Sequence, residues 1–347
     1  MAKPIKHSLN QSFITESGLE LKNPQIAYRS WGTLNSKKDN VVLICHALTG
    51  NSDADNWWGG LFGKGKPIDP EKHFIICPNI LGSCYDSTGP TSLNPETGKA
   101  YQADFPKITI RDIVRFNQLL LDKLDISEVE LVVGGSLGGM TALEFALMDE
   151  RIQAAALFAM GKAHSPWAIG ISEAQRLAIY ADEKWSNGFY DPKYPPAKGL
   201  AAARAMAMIT YRAPENYEQK FGREIHPEKN IYQVESYLNY QGEKLAGRFD
   251  ANTYVILSRA MDSHDVSKDR GSFEEVLGNL NKPVLVVGFD SDLLYPIEEQ
   301  RELASLLPHS QLAELESLYG HDAFLIEFEQ LNDQLNSFFN SLKKTKQ

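Results

Sequence analysis

The sequence has little of what marks several protein classes. Only three of its 347 residues are cysteines (Cys45, Cys77 and Cys84), and their spacing fits neither a disulfide framework nor a metal-binding motif. Lysine and arginine number 35 against 45 aspartate and glutamate residues, a formal net charge of −10. A nucleic-acid-binding protein needs a basic surface to neutralise phosphates. We therefore expect a reducing compartment, no nucleic-acid partner and no metal.

Long apolar segments are missing as well. The first residues, MAKPIKHSLNQ, lack the apolar stretch of a secretory signal peptide. No uninterrupted apolar run approaches the roughly 18 residues that predict a membrane-spanning helix. We expect a cytoplasmic protein with no membrane partner.

Short apolar runs alternate with helical patterns over much of the chain, at 41–45, 74–77, 129–133, 154–160, 283–287 and 312–315. Such runs are typical of strands buried on both faces. Thr109 and Asp112 predict a capping box at the start of one helix, and apolar residues stepping from Phe324 to Leu342 predict a long amphipathic helix. The alternation predicts an α/β protein with a mostly parallel, doubly wound sheet.

The stretch 165–278 interrupts this rhythm, because it is rich in alanine, methionine, tyrosine and arginine and contains no clear buried strand. We interpret it as a helical insertion between two strands and call it the lid. The predicted organisation is a core in two parts, 1–164 and 279–347, with the lid at 165–278. Segments inserted above the carboxyl ends of strands commonly cover a site.

The strongest local signal is G-x-S-x-G at 134–138, which follows a predicted strand and precedes a predicted helix. The serine of such a turn, Ser136, sits in a strained conformation that only small neighbours permit, and its hydroxyl is exposed for attack. A glycine-rich turn with a buried serine is the alternative. The strand-turn-helix context favours a nucleophile.

A nucleophilic serine requires a histidine base and an acid that orients it, in the chain order serine, acid, histidine for this architecture. His321 lies in a loop after the last predicted strand, whereas His309 looks like a solvated loop residue. Asp290 and Asp292 both follow the strand at 283–287, and spacing does not choose between them. An amide from the loop at 46–50 is needed for the oxyanion hole, and we interpret His46 in that loop as structural.

Several motifs resemble those of the homoserine O-acetyltransferase family, over about residues 10–340. They include 45–50 (CHALTG), 134–140 (GGSLGGM), 209–212 (ITYR), 232–237 (YQVESY), 248–254 (RFDANTY) and 320–325 (GHDAFL). This resemblance implies the α/β-hydrolase fold and a triad of Ser136, Asp292 and His321. The oxyanion hole then consists of the amides of Leu48 and Leu137.

The resemblance further implies the substrates and their contacts. Acetyl-CoA acylates Ser136 as a co-substrate, no cofactor is bound permanently, and the acetyl group passes to L-homoserine in methionine biosynthesis. Arg204 and Tyr211 hold the substrate carboxylate, Asp322 holds its ammonium group, and a homodimer forms through the lid. Departures such as Ser83 and Ser172, near the expected entrance, leave a succinyl donor or a serine acceptor open. A serine esterase and a non-catalytic binding protein are the alternatives from other classes.

Overall fold

The fold is described from a computed structural model, over residues 3–345. The strands are β1 (Ile5–Ser8), β2 (Phe13–Ile14), β3 (Glu20–Leu21), β4 (Gln25–Trp31), β5 (Val41–Cys45), β6 (Phe74–Pro78), β7 (Leu131–Gly135), β8 (Ala155–Phe158), β9 (Val284–Phe289) and β10 (Ser310–Leu315). The helices are α1 (Ala54–Trp57), α2 (Ile110–Lys123), α3 (Leu137–Met148), α4 (Pro166–Tyr180), α5 (Ala197–Thr210), α6 (Pro214–Phe221), α7 (Gln233–Ala246), α8 (Ala251–Asp262), α9 (Phe273–Gly278), α10 (Ile297–Leu306) and α11 (Phe328–Thr345).

Within that range one eight-stranded sheet has the order β1-β4-β6-β5-β7-β8-β9-β10. From β6 to β10 every neighbouring pair is parallel, whereas β4 is antiparallel to both β1 and β6. All residues of β5, β7, β8 and β9 are buried. Two apolar clusters pack on opposite faces of the sheet, which is the layered arrangement that the sequence predicts.

The predicted helices and the third predicted strand form, with shifts at their boundaries. Thr109 and Asp112 form the predicted capping box of α2 through side-chain contacts in both directions. The third predicted strand starts at Leu131 rather than residue 129, because Val129 makes only an isolated bridge to Ile152. The last helix starts at Phe328 rather than Phe324, which lies in a 3₁₀ turn over Gly320–Leu325.

Between β8 and β9 lie helices α4 to α9 and the turns that join them, from Pro166 to Gly278, and no residue of this stretch belongs to the eight-stranded sheet. These helices occupy the stretch that we call the lid, while the division into domains stays a prediction. Residues 3–345 include no helix that is both long and apolar enough to cross a membrane. The same residues hold no group of three or more histidine, cysteine, aspartate or glutamate side chains suited to a metal ion.

Candidate active site

Ser136 occupies a sharp turn between β7 and α3, with φ of 57° and ψ of −127°. A non-glycine residue rarely adopts positive φ, so this conformation is strained and must be imposed by its surroundings. Its neighbours are confined too: a Cβ atom on Gly138 would lie 2.1 Å from the carbonyl oxygen of Cys45, and one on Gly134 would lie 2.3 Å from that of Gly138. The glycines are therefore required where the turn packs against β5.

His321 and Asp292 form a buried pair. The Nδ1 atom of His321 lies 2.8 Å from Oδ2 of Asp292, and both residues are at most 3% exposed. The other carboxylate oxygen, Oδ1, accepts hydrogen bonds from the backbone amides of Leu294 and Tyr295, at 2.8 and 2.9 Å. A carboxylate fixed by two amides holds Nδ1 as the protonated nitrogen and leaves Nε2 as the proton acceptor.

The two alternatives left open by spacing lie elsewhere. Asp290 is exposed and accepts a hydrogen bond from the Ser317 amide at 3.0 Å. His309 is exposed in the turn before β10. Asp292 and His321 are thus the aspartate and histidine that meet.

Aromatic rings enclose the imidazole of His321. The ring centroids of Tyr211, Tyr295 and Phe324 lie 5.3, 5.3 and 5.5 Å from that of His321. The hydroxyl of Tyr295 also lies 3.0 Å from Nδ1 of His164, and both of these side chains are buried. Tyr295 therefore touches both members of the pair, through its amide and its ring, and the sequence analysis assigned it no role.

Ser136 and His321 line one cavity of about 60 Å³. The lining residues are Ala47, Leu48, Thr49, Ser136, Arg204, Tyr211, His321, Asp322, Phe324 and Leu325. Across residues 3–345 we find no hydrogen bond between the Ser136 hydroxyl and the His321 imidazole. Proton transfer from Ser136 to His321 therefore needs that hydrogen bond to form during the reaction.

The amides of Leu48 and Leu137 are suited to hold negative charge, because neither donates a hydrogen bond to another group of the described residues. Leu137 begins α3, where amides are free of helical partners. The loop with Leu48 is fixed by His46, which accepts a hydrogen bond at Nε2 from the Ile80 amide and whose Nδ1 lies 2.9 Å from the Ala47 carbonyl oxygen. Burial lowers the pKa of His46 to about 4, so this histidine is neutral and structural.

Opposite charges flank the same cavity. Arg204 on α5 lies over the ring of Tyr211, 5.4 Å from its centroid, and forms no ion pair with the described residues. Asp322 follows His321 and accepts a hydrogen bond from Nε of Arg212 at 2.9 Å. Sequence reasoning missed this contact of Arg212 with Asp322, although Arg212 is part of the ITYR motif at 209–212. Its position beside Tyr211 was the available signal.

Known proteins are similar to this chain over most of its length. The alpha/beta hydrolase fold family model matches residues 40–328. The homoserine O-acetyltransferase of Chlorobium chlorochromatii is 54% identical over 97% of this chain and 95% of its own, and that of Nostoc punctiforme is 53% identical over 94% and 93%.

Solved structures are similar over nearly the whole chain. The homoserine O-acetyltransferase of Bacillus anthracis has a TM-score of 0.89 at 28% identity, covering 98% of both chains. Esterase E22 has a TM-score of 0.88 at 26% identity, covering 97% of this chain and 100% of its own. The same architecture thus serves enzymes named as transferases and as hydrolases.

Proposed function

This chain belongs to the homoserine O-acetyltransferase family of α/β-hydrolase-fold enzymes, and from that premise we propose that Ser136 carries an acetyl group from acetyl-CoA to the hydroxyl of L-homoserine. The observation that supports this most directly is one cavity holding both Ser136 and His321 with two opposite charges, Arg204 and Asp322. A zwitterionic amino acid matches that pair of charges, whereas a simple ester does not need it.

In the first half-reaction His321 removes the proton of Ser136, and the serine oxygen attacks the thioester carbonyl. The amides of Leu48 and Leu137 hold the oxyanion, and the CoA thiol leaves with the proton from His321. Asp292 keeps the imidazole in the required tautomer and stabilises its charged form. This chemistry uses acetyl-CoA as a co-substrate and needs no permanently bound cofactor.

In the second half-reaction the acceptor replaces CoA. Arg204 offers a bidentate fork to the substrate carboxylate beside Tyr211, and the Asp322 carboxylate accepts from the ammonium group. His321 deprotonates the acceptor hydroxyl, which attacks the carbonyl carbon of the acetyl-serine. The bond from that carbon to the Ser136 oxygen then breaks, Ser136 takes back the proton from His321, and O-acetylhomoserine leaves. Transfer competes with hydrolysis because a well-oriented hydroxyl reaches effective concentrations of roughly 10⁵ M or more.

The test is an acyl-transfer assay that crosses acetyl-CoA and succinyl-CoA with homoserine and serine. We expect acetyl-CoA with homoserine to give the highest kcat/KM, and Ser136→Ala to lower kcat by on the order of 10⁴-fold or more. In a single turnover, homoserine should speed the release of acetyl from the enzyme far above the rate in water. Release at the same rate with and without homoserine would support an esterase instead.

We also propose a homodimer that forms through the lid. Its support is a groove of about 540 Å³ between α5 and α7, lined by small side chains that include Ala201, Ala202, Ala205 and Gly242. Large apolar side chains of the lid are exposed as well: Trp167, Leu177, Phe189, Tyr194, Met206, Ile209, Ile225, Tyr232 and Tyr240. Ala202→Glu should yield monomers in light scattering, whereas Ser305→Glu on α10 should not.

We propose a cytoplasmic location, supported by three free cysteines of which two are buried. Cell fractionation checks it, and recovery of the native protein from an oxidising compartment would contradict it.

A further inference from the structure

Two contacts join the end of α5 to the turn that carries His321. Nε of Arg212 donates a hydrogen bond to Oδ2 of Asp322 at 2.9 Å, and the amide of Asp322 donates to the Tyr211 carbonyl oxygen at 3.1 Å. Gly320 permits this approach, since a Cβ atom there would lie 3.0 to 3.1 Å from backbone atoms of residues 211–213. The position of Asp322 is therefore set by the lid.

Arg212 is not itself a contact for the substrate. Asp322 lines the cavity and Arg212 does not, so among the described residues Arg212 reaches the substrate only through Asp322. Of the two carboxylate oxygens, Oδ2 is engaged by Arg212, while Oδ1 accepts no hydrogen bond from residues 3–345. One oxygen is held and the other is available to an ammonium group, which brings donors only.

Ionisation of Asp322 depends on its charged neighbours. Burial raises the pKa of this carboxyl, and the positive charges of Arg212 and Arg204 act against that rise, with Arg212 first. His321 acts in the same direction. The other titratable groups facing it are the phenols of Tyr211, Tyr217 and Tyr237. Burial raises the pKa of all three, so they remain neutral near pH 7 and supply no charge.

We infer that Arg212 is a positioning residue for the acceptor: it fixes Asp322 and keeps its carboxyl group ionised, so that Asp322 can bind the substrate ammonium. This inference rests on the proposed function, which assigns the ammonium group to Asp322. A neutral carboxylic acid would lose its charge attraction for the ammonium, and its O–H group would take an acceptor position that a donor-only group needs. Arg212 therefore affects the second half-reaction and leaves the first largely unaffected.

The experiment compares Arg212→Met with the wild type in both half-reactions. We expect KM for homoserine to rise on the order of 10- to 100-fold, because the buried carboxylate loses its partner. Acylation by p-nitrophenyl acetate, which uses no amino-acid acceptor, should change by less than about threefold. The acid limb of kcat/KM for homoserine should move to higher pH, since the pKa of Asp322 rises further without the guanidinium.

Three further variants separate the possible outcomes. Arg212→Lys keeps the charge, so its acid limb should stay near the wild-type position even if KM rises. If Arg212→Met does not fold, Arg212→Gln takes its place against Arg212→Lys in the same pH series. Arg223→Met removes an exposed lid arginine that contacts the Tyr232 hydroxyl and should leave the kinetics unchanged.

An unchanged KM and acid limb in the neutral Arg212 variants would overturn the inference, as would an equal loss in acylation. Asp322→Asn tests the proposed function separately. If it leaves KM for homoserine unchanged, the ammonium contact itself is wrong. If it raises KM while the neutral Arg212 variants do not, only the role of Arg212 is wrong.

Discussion

At the scale of single residues, the site depends on which of two neighbouring aspartates meets the histidine. Asp290 and Asp292 follow the same strand, two positions apart, yet one side chain is exposed and the other is buried against His321. The difference comes from the turn after β9, in which the amides of Leu294 and Tyr295 converge on Asp292. The same turn thus positions Asp292, and its two amide hydrogen bonds offset part of the free energy lost when the carboxylate is buried.

Asp292→Asn should lower kcat on the order of 10⁴-fold while the fold is retained, because an amide in place of the carboxylate favours the wrong imidazole tautomer. Asp290→Asn is the matched control, with the same change on the same turn, and should leave kcat within about threefold. Steady-state kinetics with acetyl-CoA and homoserine measure both. Equal effects of the two substitutions would contradict the assignment of Asp292.

Sequence reasoning singled out Ser136 because its signal is local. The turn around Ser136 needs glycines at fixed offsets and a strand and helix on either side, all within one short segment. Spacing alone did not choose between Asp290 and Asp292, and only the family resemblance pointed to Asp292. Neither found the contact of Arg212 with Asp322, since that pair is 110 positions apart in the chain. Such a contact depends on how the lid packs on the core.

At the scale of elements, strands buried on both faces are easier to predict than edge strands. β5 and β9 are uniformly apolar and were predicted. β1 and β4 were not, because β1 is short and mostly exposed and β4 mixes polar with apolar residues. Their antiparallel pairing extends the sheet beyond β6, away from the active site.

The junction of β7, α3 and β5 should be intolerant of even one added methyl group. Gly138→Ala would bring Cβ to 2.1 Å from the Cys45 carbonyl oxygen, so we expect it to destabilise the fold by more than about 3 kcal/mol or to abolish folding. Gly170→Ala, in the exposed face of α4, meets nothing within 4 Å and should be neutral or stabilising by up to about 1 kcal/mol. Urea unfolding compares the two, and similar stabilities would contradict this packing.

At the scale of the whole molecule, buried histidines make stability depend on pH. His264 joins the end of the lid to the segment after β8: its Nε2 donates to the Gly161 carbonyl oxygen at 3.1 Å, and its backbone carbonyl accepts from the amide of His164. Its Nδ1 is buried and has no partner among the described residues. Burial lowers the pKa of His264 to about 4, against an ordinary value of 6.5.

The unfolded chain therefore binds a proton at this residue between pH 6.5 and about 4, while the folded protein does not. The free energy of unfolding falls as the pH falls through that window. Relative to wild type, His264→Gln should reduce this slope by about 1.4 kcal/mol per pH unit, since the glutamine does not titrate. Urea unfolding at several pH values measures the free energy of unfolding of both proteins. In the difference between variant and wild type, the contributions of all other titrating groups cancel.

His309→Gln serves as the control for that series. This histidine is exposed in the turn before β10, so the same substitution there exchanges a surface imidazole for an amide. If His264→Gln and wild type lose stability in parallel from pH 6.5 to 4, then His264 is not held neutral by the fold.

The fit of Gly320 against the backbone of residues 211–213 limits how relatives can be recombined. A lid grafted from another protein of this fold would need backbone of the same shape as residues 211–213. It would also need a carbonyl oxygen that accepts a hydrogen bond from the Asp322 amide. Without that carbonyl, the turn that carries His321 would lose its hydrogen bond to the lid, even if Ser136, Asp292 and His321 were all retained. We expect chimeras to remain active when the lid and the turn at 320–325 are exchanged together.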